Sequence, residues 1–131
     1  MRPVILDSCI LIDYLNGVSL ASDTVKEYAA VSAISVITWM EVMVGALRLD
    51  RKRQQITRNF LARFTKLPVC EAVAELAAVI CAQRGIKLPD AIIDATAQVT
   101  NRLLITRNVK DFERIEGIIL LNPWKEAPRF A

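Results

Sequence analysis

The chain alternates short, unbroken apolar runs with longer stretches in which apolar residues recur every three or four positions. The first run is Val4-Ile5-Leu6, whose length and β-branched content suit a strand buried on both faces. It ends at Asp7, and Ile10, Leu11 and Leu15 then take up a helical spacing that Asn16-Gly17 closes. A modest helix is predicted over residues 22–30 and a second buried strand over 33–37. Residues 38–49 read as a helix opened by Thr38-x-x-Glu41, the spacing of a capping box. Residues 51–66 form a further helix with Ile56, Phe60, Phe64 and Leu67 on one side, followed by a very short strand at 67–70. Residues 71–84 carry Val73, Leu76, Ala77, Ile80 and Cys81 at clean helical spacing, and Gly85 ends them. Pro89 opens a helix running to about residue 101. A strand at 103–105, a turn or short helix at 108–112 and a last strand at 118–121 complete the chain. Strands alternating with helices imply an α/β fold, a parallel sheet of about five strands covered on both sides.

Composition narrows the chemistry. The 131 residues fit one domain spanning 1–131, and a hydrophobic content of 53% is ample for a core. The net charge of +3 announces no nucleic-acid binder, so any basic footprint must be local. Cys9, Cys70 and Cys81 lack metal-site spacing and, among apolar neighbours, read as core residues of a reducing compartment. No apolar run approaches a membrane span and no secretory pattern opens the chain, so the expected location is the cytoplasm. Histidine is absent, which removes imidazole bases and ligands. Catalysis must then rest on carboxylates, a set that favours a hard divalent cation.

Each acid has an ordinary reading and a functional one. Asp7 is a helix N-cap or a site residue at a strand end. Glu41 is a capping-box residue, Asp90 a first-turn acid favoured by the helix dipole, and Asp111 a cap residue three after Asn108, unless each serves a site. The set carries more than its members. In a parallel sheet the strand ends delivering Asp7, Glu41 and Asp111 share one edge, and the helix begun by Asp90 starts there too. Four converging acids repel and call for a cation, Mg²⁺ or Mn²⁺. Asp94, one turn beyond Asp90, either joins them or pairs with a cation elsewhere. Asp13 reads as a helix-end residue. Ser8 and Thr106 are hydroxyls at strand ends that bond the acids or phosphate or simply cap helices; Asn108 lies at the same edge, as does Arg107, which is placed to hold a phosphate.

Asp7-Ser8 after the first strand, SAISVITWMEVMVGA around Glu41, LPDAIIDATAQ around Asp90, LLITRNVKDF around Asp111 and the closing LLNPW resemble PIN-domain proteins, most of all the VapC toxins of toxin–antitoxin pairs. The resemblance runs in order along nearly the whole chain. It implies a PIN-like three-layer fold, a Mg²⁺- or Mn²⁺-dependent endoribonuclease leaving a 3′-hydroxyl and a 5′-phosphate, a small antitoxin, and a homodimer. The acidic centre it implies falls on Asp7, Glu41 and Asp90. Many relatives carry the fourth acid where this chain has Asn108, and others at the position of Asp111, which is the candidate here. Asp94 departs from the small or apolar residue usual at its position.

Metal-activated water would attack a phosphodiester in line, a route that needs no imidazole. The basic residues Arg48, Arg51, Lys52, Arg53, Arg58 and Arg63 are either a solvated helix face or a contact for RNA or antitoxin. Trp39, Met40, Met43, Val44, Phe60 and Phe64 exceed what one side of a small sheet obviously needs, and those left outside the core would form an interface. Competing readings are a PIN nuclease that is not a toxin, a non-catalytic RNA- or partner-binding module, and a phosphatase-like domain with Asp7 as nucleophile. The last wants a lysine at the acid edge, and Lys87 and Lys110 are not compelling.

Overall fold

The computed structural model describes residues 2–112, 117, 119–124, 129 and 130; of 111, 119, 120, 129 and 130 the backbone alone is described. The elements in chain order are β1 (Val4–Leu6), α1 (Ser8–Leu15), α2 (Ser19–Glu27), a 3-10 turn (Ala29–Val31), β2 (Ser32–Ser35), α3 (Val36–Ala46), α4 (Arg51–Leu61), β3 (Thr65–Leu67), α5 (Glu71–Arg84), α6 (Leu88–Val99), β4 (Leu103–Ile105), α7 (Val109–Phe112), β5 (Ile119–Leu121) and β6 (Arg129–Phe130). The sheet order is β3-β2-β1-β4-β5-β6. The first five are parallel, as expected, while β6 runs antiparallel to β5 along the edge, Ile119 opposite Phe130, a strand the sequence pattern did not announce.

The central strand explains the layering. Val4 and Leu6 face one side of the sheet and Ile5 the other, and all three are fully buried. Val4, Leu6, Ile34, Leu103 and Ile105 pack beneath Ile10, Leu11, Val25, Val42, Met43, Phe60 and Leu61 of the first four helices. Ile5 and Leu104 pack beneath Val73, Ala77 and Ile80 of α5, Ala91, Ile93 and Ala95 of α6, and Phe112 of α7. Continuous apolar strands between two helical layers are what a parallel sheet requires.

Several boundaries differ from the sequence reading, among them the end of α3 at Ala46 rather than residue 49. The second helix starts at Ser19 and gives way to the 3-10 turn after Glu27. β2 stops at Ser35, whose hydroxyl accepts the Ile37 N–H at 3.1 Å and so opens α3. The β-branched Val36 and Ile37 had argued for more strand; a hydroxyl cap outweighs that propensity here. Thr38 is therefore not a cap but a buried residue inside the helix, and Glu41 is not in a capping box. α4 ends at Leu61 because the Arg63 and Phe64 N–H groups bond the Phe60 and Leu61 carbonyls in a tight turn, which feeds β3 at Thr65–Leu67 rather than later. By contrast α5 and β4 fall where the pattern puts them, and Gly85 ends α5 at φ +64°. Of the cysteines only Cys9 is a core residue; Cys70 is exposed and Cys81 partly so.

Candidate active site

Five parallel strands send their C-terminal ends to one edge, and the strand ends of β1, β2 and β4 lie side by side there. Asp7 is the residue after β1. Its N–H continues the ladder to the Ile105 carbonyl at 3.0 Å, which fixes the backbone, and its side chain caps α1 by accepting the Ser8 N–H at 2.8 Å. The other carboxylate oxygen accepts the Thr106 hydroxyl at 2.7 Å and the Cys9 thiol at 3.4 Å. Asp7 is thus both the cap and a candidate ligand. It is buried, and burial raises its pKa although its hydrogen bonds pull the other way. Burial, and then the Asp7 charge, pushes the Cys9 thiol up to about 11, so Cys9 stands neutral beside it.

Glu41 enters from the second turn of α3. Its pKa is raised by burial first, then by the charge of Asp7 and more weakly by that of Asp90, while the Ser8 hydroxyl is a hydrogen-bond partner that lowers it. Glu41 Oε1 is buried without a hydrogen-bond partner among the described residues. Asp90 sits half-buried in the first turn of α6, behind Pro89. So Asp7, Glu41 and Asp90 come from three distant parts of the chain to one edge, and Glu41 feels the charge of the other two. As oriented, no three acids or cysteines among the described residues are gathered closely enough to hold one ion. Repulsion between like charges favours that spacing.

The remaining candidates separate. Thr106 is fully buried and locked: its Oγ1 donates to Asp7 and accepts the Asn108 N–H at 3.0 Å. Ser8 and Asn108 flank the same turn. Asp111 lies on α7, just past β4, and its side chain is outside the described residues. Asp94 is completely buried; Gln98 Nε2 donates to its Oδ1 at 2.6 Å, and Oδ2 has no partner among the described residues. Burial raises its pKa to about 7 against the Gln98 bond, with no contribution from the other acids. Arg107 is not an unengaged phosphate holder. Its Nε and Nη2 donate to the two oxygens of Asp13 at 2.6 and 3.2 Å. Asp13, read from sequence as a mere helix end, is buried on α1 and ties that helix to the Thr106–Asn108 turn. Such a partner 94 residues away leaves no mark in local sequence spacing. We expect Asp13→Ala to destabilise the fold by about 1–2 kcal/mol, the range for a charge-assisted bidentate bond. Arg107→Ala should cost the same and the double variant no more, read by urea unfolding; additive losses would show the two side chains act separately.

A carboxylate cluster at the C-terminal edge of a PIN-like sheet frames the comparison with known proteins. The PIN domain family matches residues 4–118, and the chain belongs to that family. Among solved structures, the chain is 41% identical, with a TM-score of 0.81, to a chain of a toxin–antitoxin complex from Klebsiella pneumoniae, over 92% of this chain and 97% of that one. It superimposes at a TM-score of 0.81 and 23% identity on a chain of DNA-bound VapBC from Salmonella typhimurium, over 94% of this chain and 99% of that one. A chain of VapBC2 from Rickettsia felis, bound to a promoter DNA fragment, matches at 0.78 and 24%, over 91% of this chain and 97% of that one. These last two likenesses are likenesses of fold. No curated protein matches the chain significantly.

Proposed function

We propose that this PIN-domain chain is a Mg²⁺- or Mn²⁺-dependent endoribonuclease and the toxin of a toxin–antitoxin pair. The observation that carries the reading is the convergence of Asp7 and Asp90 on Glu41 at one sheet edge, where burial and then their charges raise the Glu41 pKa. In kind the residues suit a hard cation, although as oriented they stand too far apart to share one: the donors are all carboxylates, and Glu41 Oε1 is a buried acceptor without a hydrogen-bond partner among the described residues. Asp7, Glu41 and Asp90 would hold the ion, with Asp111 from α7; Asp94 is a less direct contributor. A bound divalent cation supplies a water of lowered pKa and neutralises charge on the phosphate. Thr106 and Ser8 hold Asp7 in place for it, and because both donate to the carboxylate they favour its charged form against the effect of burial. The presence of the whole acidic set speaks against a non-catalytic module.

Partners follow from the surface. Ile12, Leu49 and Ile56 are exposed around a groove of about 620 Å³ between α1, α3 and α4, and an amphipathic antitoxin helix suits it. Of the excess apolar residues, Met43, Phe60 and Phe64 serve the core, with Trp39 packed against it, whereas Met40 and Val44 on α3, with Leu47 just past its end, form an exposed stripe, which suits the homodimer. Among the described residues no helix is long and apolar enough to cross a membrane.

The test is cleavage of single-stranded RNA with Mn²⁺ and with EDTA, alongside growth on expression with and without the adjacent small open reading frame. Cleavage only with metal, and arrest relieved by the neighbour, are expected. Metal-independent cleavage, or none, overturns the nuclease; unimpeded growth overturns the toxin alone. Light scattering should give twice the chain mass, and a monomer at micromolar concentration removes the homodimer. Divalent metal should also raise Tm; at a hundredfold excess over Kd the gain is about 2.7 kcal/mol. Because Glu41 caps nothing, Glu41→Gln should not lower stability in EDTA but should blunt the response to Mn²⁺. A variant that keeps its full response places Glu41 outside the metal centre.

A further inference from the structure

The basic run of α4 does not act as one surface. Arg53 pairs with Asp50, and Arg63 lies over the Phe60 ring and reaches the Tyr14 hydroxyl. Arg58 instead turns towards a separate hollow of about 240 Å³, lined by Trp39, Arg58, Leu61, Ala62, Phe64 and Lys66. Lys66 Nζ stands 4.6 Å from the centre of the Trp39 ring. Arg58 and Lys66 are both exposed, and neither has an ion pair with an acid among the described residues. A half-buried indole flanked by two uncompensated cations is the chemistry of a nucleotide site: a base against the aromatic face, a phosphate between the cations.

Its place relative to the acids follows from the fold. Trp39 and Glu41 share α3, two residues apart, so they sit at nearly the same height on opposite sides of one helix. Lys66 pairs in register with Ile34, one residue before the Ser35 cap. The hollow therefore lies across the N-terminal end of α3 from Glu41, at roughly one helix diameter, about 10 Å. A short run of nucleotides bridges that span, and the amino end of α3 favours the negative backbone that would cross it.

We infer that the Trp39–Arg58–Lys66 hollow is a subsite for a nucleotide of single-stranded RNA flanking the scissile phosphate. This rests on the nuclease reading and locates part of its substrate path. The mixture of charge and aromatic surface favours RNA over a protein helix, for which the apolar groove between α1, α3 and α4 is the better match.

Binding and cleavage are to be measured apart. Trp124→Phe leaves Trp39 the sole tryptophan of the chain. Titrating that protein in EDTA with a mixed-sequence single-stranded oligoribonucleotide should quench its fluorescence. The substitutions Arg58→Glu and Lys66→Glu together, both at exposed positions, should weaken binding at least about tenfold at 0.1 M salt. They should also flatten the slope of log K against log salt by about one to two, as expected for two lost phosphate contacts. Quenching without any Mn²⁺-dependent cleavage leaves the subsite standing and removes the nuclease. Metal-dependent cleavage with no quenching, and with the same affinity and salt slope in the double variant, overturns the subsite and leaves the nuclease. Intact RNA binding by a double variant that escapes neutralisation by the adjacent-frame protein overturns it too, by assigning the hollow to a protein.

Discussion

Asp7→Asn should reduce RNA cleavage by at least about a hundredfold while leaving the fold in place. That loss is typical of removing a major electrostatic contributor from an active site. The variant should fold because an amide can satisfy the same neighbours. Its oxygen still accepts the Ser8 N–H, and the Thr106 hydroxyl can rotate to accept from the new amide while continuing to accept the Asn108 N–H. A buried charge also disappears, so Tm in EDTA should hold or rise. Asp90→Asn should behave alike, at a position exposed enough to tolerate the change. Near-normal, metal-dependent cleavage by either well-folded variant would remove that acid from the centre. Loss of activity with a collapse of Tm would instead make Asp7 a cap and no more.

The second large effect concerns stability against pH. Asp94 is wholly buried on α6 with a pKa raised from 3.8 to about 7 by burial. A carboxyl with a raised folded pKa binds its proton more tightly when folded. Between about pH 4 and 7 the folded chain therefore holds a proton that the unfolded chain has released, and stability falls as pH rises through that window. Asp7 and Glu41 are shifted the same way, so the wild type alone does not isolate Asp94. Asp94→Asn does, because its oxygen can still accept from Gln98 without carrying the charge. The variant should be more stable than the wild type by roughly 2–4 kcal/mol at pH 8 and nearly equal to it at about pH 3.5, below the window, measured by urea unfolding in EDTA. A pH-independent difference would mean that Asp94 is neutral at every pH tested, or charged with a partner outside the described residues.

The layers and the acidic edge were legible before any coordinates because they depend on local patterns. Val4-Ile5-Leu6 and Leu103-Leu104-Ile105 are apolar on both faces, as central strands must be, and a run that stops at an acid marks the edge. The long helix from Glu71 announced itself through spacing and a terminal glycine. What misled was the Thr38 hydroxyl, which imitates a cap that Ser35 supplies. Thr38-x-x-Glu41 has the spacing of a capping box, whereas Ser35, inside the apolar run, has no such partner three residues on and yet is the cap. Only the register of β2 against β1 and β3 decides that the strand is used up at Ser35. The Asp13–Arg107 pair was invisible for a different reason, since it joins residues that only the β1–β4 pairing brings together. β6 is two residues long and antiparallel, below what periodicity can detect.

The Ser35 cap also acts as a gauge. It starts α3 at a fixed point on the sheet edge, and Glu41 takes its bearing by counting from it. Each residue of a helix turns the chain by about 100°, so one residue inserted or deleted between them would swing the carboxylate away from Asp7 while leaving composition, hydropathy and helix intact. Four inserted residues would nearly restore the direction but carry the carboxylate about 6 Å along the axis, out of range of its partners. Lineages descending from this chain are therefore free to vary most of the five positions between them by substitution, yet barred from changing their number.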